Sequence, residues 1–387
     1  MRALVLGAGL QGSAAAYDLV THGGATRLTL VDAEGAALTR CLTELPALSA
    51  AGATARVLDL ADPAALAPLL AEADACFSAL PYFLNLPVAE ACARAGVHYV
   101  DLGGNTDIVR QTLALDPLAR ASGACLVPDC GLAPGLAATV AMAAIAGLAG
   151  VESLKIRVGG LPQRPRPPLD YSLFFSVHGL INEYMGEAVA LRGGELVSVP
   201  TLAEVESLEF PPPVGRCEAF ATLGGTSTLP WTLRGRVREL DYKTVRYPGH
   251  AEKIRLLKQL GYFDEAPLSV EGRAVAPRAL SAALLTRALS EEGVRDLVVF
   301  RVEAVGESPA GRRRRRFEMI DFYDEATGLS AMRRTTAFPA ATVLSLIAQG
   351  EGAGPGAHSL EVALPAERCL AELARRGLVI ARSEAPA

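Results

Sequence analysis

The stretch Gly7-Ala8-Gly9-Leu10-Gln11-Gly12 is a GxGxxG that follows a short apolar run and opens a helical one, the context in which this spacing binds a dinucleotide. Gly7 would make the tight turn, Gly9 would let the backbone approach a pyrophosphate, and Gly12 would let the helix lie close on the strand. The helix N-terminus at Leu10 and Gln11 supplies unpaired N–H groups and a partial positive charge. Asp32 lies about 20 residues beyond Gly12, at the end of the next apolar run, where a carboxylate accepts hydrogen bonds from both hydroxyls of an adenosine ribose. That carboxylate repels a 2′-phosphate, and the next residue is Ala33 rather than a cation, so the expected cofactor is NAD, with NADP disfavoured.

A second set of chemically capable residues stands far downstream, in Lys243-Thr244-Val245-Arg246-Tyr247-Pro248-Gly249-His250. Arg246 can hold a carboxylate through two parallel N–H bonds. His250 can exchange a proton near neutral pH, and Lys243 can do so if desolvated. The Pro-Gly turn puts His250 at the start of a helix from about Ala251 to Leu260, whose terminal field would lower its pKa. Asp129 ends the sixth apolar run and faces the crevice where a parallel sheet binds its ligand. Ser78, Leu80 and Pro81 at the end of the fourth run, and Gly103 after the fifth, fall beside the same crevice and join the expected dinucleotide site. Tyr171, His178, Asn182 and Glu183 form a polar-aromatic stretch suited to lining a pocket.

These groups need a frame. From residue 1 to about 130, short apolar runs (2–7, 27–32, 55–60, 75–80, 98–102 and 124–128) alternate with Ala-rich helical stretches, the pattern of a parallel sheet covered by helices. Asp62-Pro63 reads as the cap and first turn of one such helix, running to about Leu70. Beyond residue 130 the alternation stops. A helix over 136–148 leads to longer β-like runs, and the Pro-rich stretch 159–169 reads as a rigid surface loop. Runs at 297–306, 314–323 and 329–336 read as an antiparallel meander, with Arg312–Arg316 a solvated hairpin edge. Helices return at 339–349 and 365–376. The expected organisation is α/β: a doubly wound domain over 1–130, an α+β domain over 131–336, and C-terminal helices in 337–387 packing back on the first.

Composition narrows the function. Half the residues are hydrophobic, the 37 Lys and Arg are balanced by 42 Asp and Glu, and the net charge of -5 offers no field for nucleic acid. Seven scattered cysteines without CxxC spacing suit neither a disulfide framework nor a metal centre, so no metal is expected and a reducing, cytoplasmic compartment is. No apolar stretch has the length of a membrane span, so no membrane association is expected.

VLGAGLQG (5–12), SALPYFLN (78–85), YVDLGGN (99–105), PDCGLAPG (128–135), VGGLP (158–162), KTVRYPGH (243–250) and YDEATGLSAMRRTT (323–336) together resemble the saccharopine dehydrogenase superfamily, and within it the L-lysine 6-dehydrogenase-like group. The resemblance implies a Rossmann domain plus an α+β domain with an open mixed sheet, in a homo-oligomer. It implies NAD(P)-linked oxidation of a C–N bond of a small amino-acid substrate, most directly deamination of the 6-amino group of L-lysine. A reductive condensing enzyme of the saccharopine or carboxynorspermidine type is the alternative, and a non-catalytic NAD-binding regulator is the alternative of another class. Oxidising a carbon that bears nitrogen requires a neutral amine and a fixed carboxylate. The roles so implied are His250 as proton acceptor, Lys243 and Asp129 as further candidates for it, and Arg246, Tyr171 and Asn182 as substrate-binding residues.

Overall fold

The computed structural model describes residues 1–60, 63–291 and 293–387. The central N-terminal strands are short and nearly uniformly apolar because helices cover both faces, with Leu4, Val5, Leu6, Cys76, Phe77, Tyr99, Val100, Leu126 and Val127 all buried, whereas the edge strand Thr54–Val57 is exposed. They form a seven-stranded parallel sheet in the order Thr54–Val57, Arg27–Asp32, Arg2–Leu6, Ala75–Ser78, His98–Asp101, Cys125–Val127 and Gly356–Ala357. The order reverses between Arg2–Leu6 and Ala75–Ser78, and a ligand crevice opens beyond the carboxyl ends of those two strands. Asp62, expected to cap a helix, lies outside the described residues; Pro63–Leu66 forms a single 3₁₀ turn leading into Ala67–Leu70.

The second sheet has nine strands and is mixed. Its main path runs Glu206–Phe210, Gly215–Ala221, Val237–Arg246, Ala149–Pro162, Asp296–Ser308, Gly311–Phe322 and Ala381–Pro386, with Glu187–Arg192 and Glu195–Pro200 paired beside it. Val237–Arg246 and Ala149–Pro162 are parallel, and the other neighbours on the path are antiparallel. A Rossmann-type sheet plus a mixed α+β sheet is the fold class expected.

Several local expectations are overturned. Residues 159–162, expected in a surface loop, are the end of the long strand Ala149–Pro162, and Gly159 and Gly160 are used for packing: a Cβ on Gly160 would stand 2.3 Å from Cε of Met332. The third meander run is no strand, since residues 331–348 form one helix with Pro339 inside it. Its β-branched Thr335 and Thr336 favour a strand only weakly, and burial of the helix among both sheets wins. Arg312–Arg316 is not a free edge either, because Ala381–Pro386 pairs with Arg313 through Glu318. Arg312 pairs with Glu152, Arg313 and Arg315 with Glu384, and Arg316 with Glu303. The last strand therefore joins the second sheet, whereas helix Ala331–Ala348 and strand Gly356–Ala357 join the first.

Helix Ala331–Ala348 ties the two halves to the site. Its N-terminal N–H groups at Ala331 and Met332 donate to the buried Asp296 of the second sheet (2.7 and 2.8 Å). In the same turn, Arg333 donates to Leu10 O (3.0 Å) and Ser13 Oγ (2.6 Å) at the start of helix Leu10–Thr21. Further along, Phe338 stacks on Tyr17 with ring centroids 6.5 Å apart. Among the described residues no helix is long and apolar enough to cross a membrane.

Candidate active site

The glycine-rich turn has the geometry its spacing predicts. Gly7 has φ +93°, and a Cβ on Gly12 would lie 1.8 Å from the Gly7 carbonyl oxygen, so the first and third glycines serve the turn and the packing. Gly9 differs: a Cβ there would meet nothing within 4 Å, leaving the backbone open for close approach from outside. Leu10 is exposed, and Gln11 buries an Oε1 that has no partner among the described residues. Asp32 stands at the end of its strand with Oδ2 accepting from Ala8 N (2.6 Å) and Oδ1 from Glu34 N (2.8 Å), so the carboxylate is already aimed at the turn. Leu80 and Pro81 line the mouth of the adjoining strand, but Ser78 is buried and donates to Asn85 Oδ1 (2.9 Å), so its hydroxyl supports the loop from within. The unfilled approach to Gly9, the orphaned Gln11 oxygen and the poised Asp32 fit a dinucleotide.

In the second domain, alternation along strand Val237–Arg246 sorts the expected residues. Tyr242, Thr244 and Arg246 share one face, and Lys243 points to the other. Arg246 is buried, donates through Nη1 to Val245 O (3.0 Å) and through Nη2 to Glu183 Oε2 (3.2 Å), and lies 4.6 Å above the Tyr171 ring. Its Nε and the Tyr171 hydroxyl are both buried with no partner among the described residues. Burial raises the Glu183 carboxyl above its usual range and the Arg246 charge opposes this. Burial likewise pushes the Tyr171 phenol up, so it stays a donor. Two unfilled buried donors, one of them on the cation that lies over the other's ring, can hold a carboxylate.

Three expected roles do not survive the geometry. His250 does start a helix, His250–Gln259, but its ring is fully buried, with Nδ1 donating to Leu169 O (3.1 Å) and Nε2 accepting from the Tyr184 hydroxyl (2.9 Å). Burial and the nearby Arg246 charge hold its pKa down to about 3, so it stays neutral and both nitrogens are engaged: it is a prop for Tyr184 and the 169 loop, not a proton acceptor. Lys243 turns to the opposite face and binds Glu204 O (2.7 Å), Glu206 Oε2 (3.4 Å) and Glu204 Oε2 (3.7 Å), beside the ion pairs of Arg157. Asn182 Oδ1 accepts a hydrogen bond from Arg278, and His178 is exposed, so neither is offered to a substrate beside Arg246.

Asp129 is where the two domains meet. Its backbone has φ +60°, its N–H donates to Asp101 Oδ1 (3.0 Å), and its own Oδ1 is buried without a partner. That oxygen sits against Gly103, where a Cβ would come within 1.8 Å of it. Asp101 also accepts from Gly103 N (2.7 Å) and the Tyr99 hydroxyl (2.9 Å). Burial raises the Asp129 carboxyl well above its usual range, the Asp101 charge adds to this, and the hydrogen-bonding Ser227 hydroxyl opposes it. Ser227 arrives on the segment 222–232 of the second domain, where Gly225 lies on the Tyr242 ring and Thr228 and Thr232 donate to the buried Glu361 (2.7 and 2.6 Å).

Comparison with known proteins gives the frame a family. The model described as the saccharopine dehydrogenase C-terminal domain matches residues 131–378, and that described as the saccharopine dehydrogenase NADP binding domain matches residues 3–127. The chain belongs to the saccharopine dehydrogenase family. Saccharopine dehydrogenase [NADP(+), L-glutamate-forming] of Schizosaccharomyces pombe is 26% identical over 248 residues, 61% of this chain and 54% of that protein. The mitochondrial alpha-aminoadipic semialdehyde synthase of Bos taurus is 28% identical over 213 residues, 51% of this chain and 22% of that protein. The chain thus matches about half of one relative and about a fifth of the other. Apo saccharopine dehydrogenase (L-Glu forming) of Saccharomyces cerevisiae superposes with a TM-score of 0.80 at 19% identity, covering 99% of each chain, and so shares the fold.

Within this saccharopine dehydrogenase frame, the residues missed from sequence are Ser227, Tyr184 and Glu361. The run Gly224-Gly225-Thr226-Ser227-Thr228 was the available signal, since consecutive glycines before hydroxyl residues mark a shaped loop. Nothing in the spacing links it to Asp129, almost a hundred residues earlier. Among the described residues, no group of three or more His, Cys, Asp or Glu side chains is placed to hold a metal ion.

Proposed function

We propose that this member of the saccharopine dehydrogenase family is a nicotinamide-dependent dehydrogenase that oxidises a C–N bond of an amino acid, most directly the 6-amino group of L-lysine, with NAD as cofactor. The observation that carries the reading is the buried pair of unfilled donors, Arg246 Nε and Tyr171 Oη, on the second domain. A buried Nε–H and a buried phenol O–H left unpaired cost free energy that a bound carboxylate recovers. Arg246 and Tyr171 hold that carboxylate, and Glu183 and the ring stacking keep the guanidinium in place. The carbon to be oxidised is thereby held toward the crevice beyond Asp101 and Asp129. A nicotinamide cofactor, when bound, would supply the hydride acceptor. Loss of hydride from a neutral amine leaves an iminium, which water converts to an aldehyde and ammonia.

NAD rather than NADP rests on Asp32, whose carboxylate faces the turn with Ala33 beside it. The matching family model carries NADP in its description, so the two cofactors are compared directly. A second reading has its own support: the relatives in S. pombe and S. cerevisiae are saccharopine dehydrogenases, which favours reductive condensation of an amine with a carbonyl acid. Absorbance at the reduced-nicotinamide band separates the readings. The first expects reduction of NAD by L-lysine alone; the second expects oxidation of reduced cofactor only when amine and carbonyl acid are both present. Dinucleotide binding without turnover in any combination would refute both and leave a regulator.

A further inference from the structure

We propose that Asp129 meets the reacting amine of the substrate and takes its proton, so that the site selects an amino acid with a carboxylate at one end and an ammonium at the other. This rests on the carboxylate-clamp reading and names the other end of the same site. Three buried carboxyl groups gather where the domains meet, and two are satisfied from within. Asp101 accepts three hydrogen bonds, from Gly103 N, Asp129 N and Tyr99, and Glu361 accepts from Thr228 and Thr232. Asp129 alone of the three keeps a buried oxygen with no partner among the described residues. Its left-handed backbone, φ +60°, is held by Asp101 from one side, and Ser227 reaches its carboxyl from the other domain.

The two ends are joined on one face of a single strand. Tyr242, Thr244 and Arg246 alternate along it; the Tyr242 ring carries Gly225, and Ser227 lies two residues further on. From Tyr242 to Arg246 the strand rises about 13 Å, a spacing an extended amino acid and its two charged ends would have to span. An ammonium arriving at Asp129 finds the partner that oxygen lacks. Burial then favours the neutral pair over the ionic one, so the N–H proton moves to Asp129 Oδ1 and leaves the amine lone pair free. That pair can then form the C=N bond as the adjacent C–H bond gives up its two electrons as hydride, for which a bound nicotinamide would be the acceptor, leaving an iminium and a protonated Asp129. Burial raises the Asp129 carboxyl in the direction this transfer needs.

The test is calorimetric binding of L-lysine and L-norleucine, which share a carboxylate head and differ in the terminal amine, to the full chain saturated with NADH so that no turnover occurs. The wild type is expected to bind lysine at least about tenfold tighter than norleucine. Asp129→Asn, an isosteric change that tolerates positive φ, is expected to abolish that advantage and leave norleucine affinity within about twofold. Ser227→Ala is expected to lower lysine affinity about two- to tenfold, again sparing norleucine. Retention of the lysine advantage in both variants, or equal binding of the two ligands by the wild type, overturns the assignment to Asp129 and leaves the clamp standing. Failure of the wild type to bind either ligand overturns the clamp and this assignment with it.

Discussion

Tyr171→Phe removes one oxygen and leaves everything else the ring does. The ring still lies under Arg246 at 4.6 Å and still meets Phe174 and His250 edge-on at 5.6 Å. The deleted hydroxyl is buried and unpartnered, so the free protein loses no hydrogen bond and sheds a desolvated polar group. Stability is therefore expected to hold or rise by about 1 kcal/mol, the low end of the cost of a buried unsatisfied hydroxyl. Binding is expected to move the other way. A hydrogen bond to a charged carboxylate contributes about 1.5–3 kcal/mol, which predicts a Kd or KM for the amino acid about 10- to 150-fold higher. The carboxylate is held in ground and transition states alike, so kcat should change little. Because burial holds the phenol protonated, the effect should be the same across roughly pH 6–9. Urea melts and steady-state kinetics with L-lysine measure both quantities. Unchanged KM, or a loss of more than about 1 kcal/mol, would show that the hydroxyl already has a partner and refute the clamp.

The other expectations concern the cofactor, the histidine and assembly. Gly9→Ala should leave the melting temperature unchanged and weaken dinucleotide binding, whereas Gly12→Ala should disrupt the turn itself, because its Cβ would collide with Gly7 O; calorimetry with thermal melts distinguishes them. The unmodified protein should bind NAD more tightly than NADP and Asp32→Ala should narrow the gap; tighter NADP binding by the wild type would contradict the Asp32 argument. His250→Phe should lower stability by about 2–5 kcal/mol, since Leu169 O and the Tyr184 hydroxyl lose buried partners, and the acidic limb of the kcat/KM profile should stay where it is. A shifted limb would restore the ring as a base. Sedimentation should show a homo-oligomer, because exposed apolar side chains concentrate at Leu256, Leu260, Tyr262, Leu268, Val270, Leu280 and Leu284; a monomer at micromolar concentration would count against it.

What was legible in the sequence was what neighbours in the chain determine. Gly7, Gly9, Gly12 and Asp32 are all within two strands and one helix, so spacing specifies their relation, and the turn, helix start and strand end fall where the spacing places them. Arg246 and Tyr171 were recognisable as types, but their meeting depends on a strand and a loop distant in the chain. His250 and Lys243 misled because a chain segment shows residue types and hides direction: one residue along a strand reverses the face, and a buried ring loses its proton. Helix Ala331–Ala348 misled for a related reason. Its strand-like composition is overruled by a burial that only the folded arrangement of both sheets provides.

Helix Ala331–Ala348 also makes the order of synthesis matter. The first sheet is emitted early, yet the strand that completes it, Gly356–Ala357, and the helix whose Arg333 holds Leu10 and Ser13 emerge about two hundred residues later. Until then the nascent dinucleotide domain has an unpaired edge at Cys125–Val127 and an uncovered apolar face around Tyr17, a state in which edge pairing with other chains competes with completion. Loop closures of this length slow folding more than they weaken the finished protein. A fragment cut at residue 130 is therefore expected not to behave as a portable dinucleotide-binding module, although it contains the whole glycine motif. The two sheets are thus interleaved along the chain, the last strand returning to the second after Gly356–Ala357 has completed the first, and graft or truncation experiments should keep residues 331–357 with the N-terminal sheet.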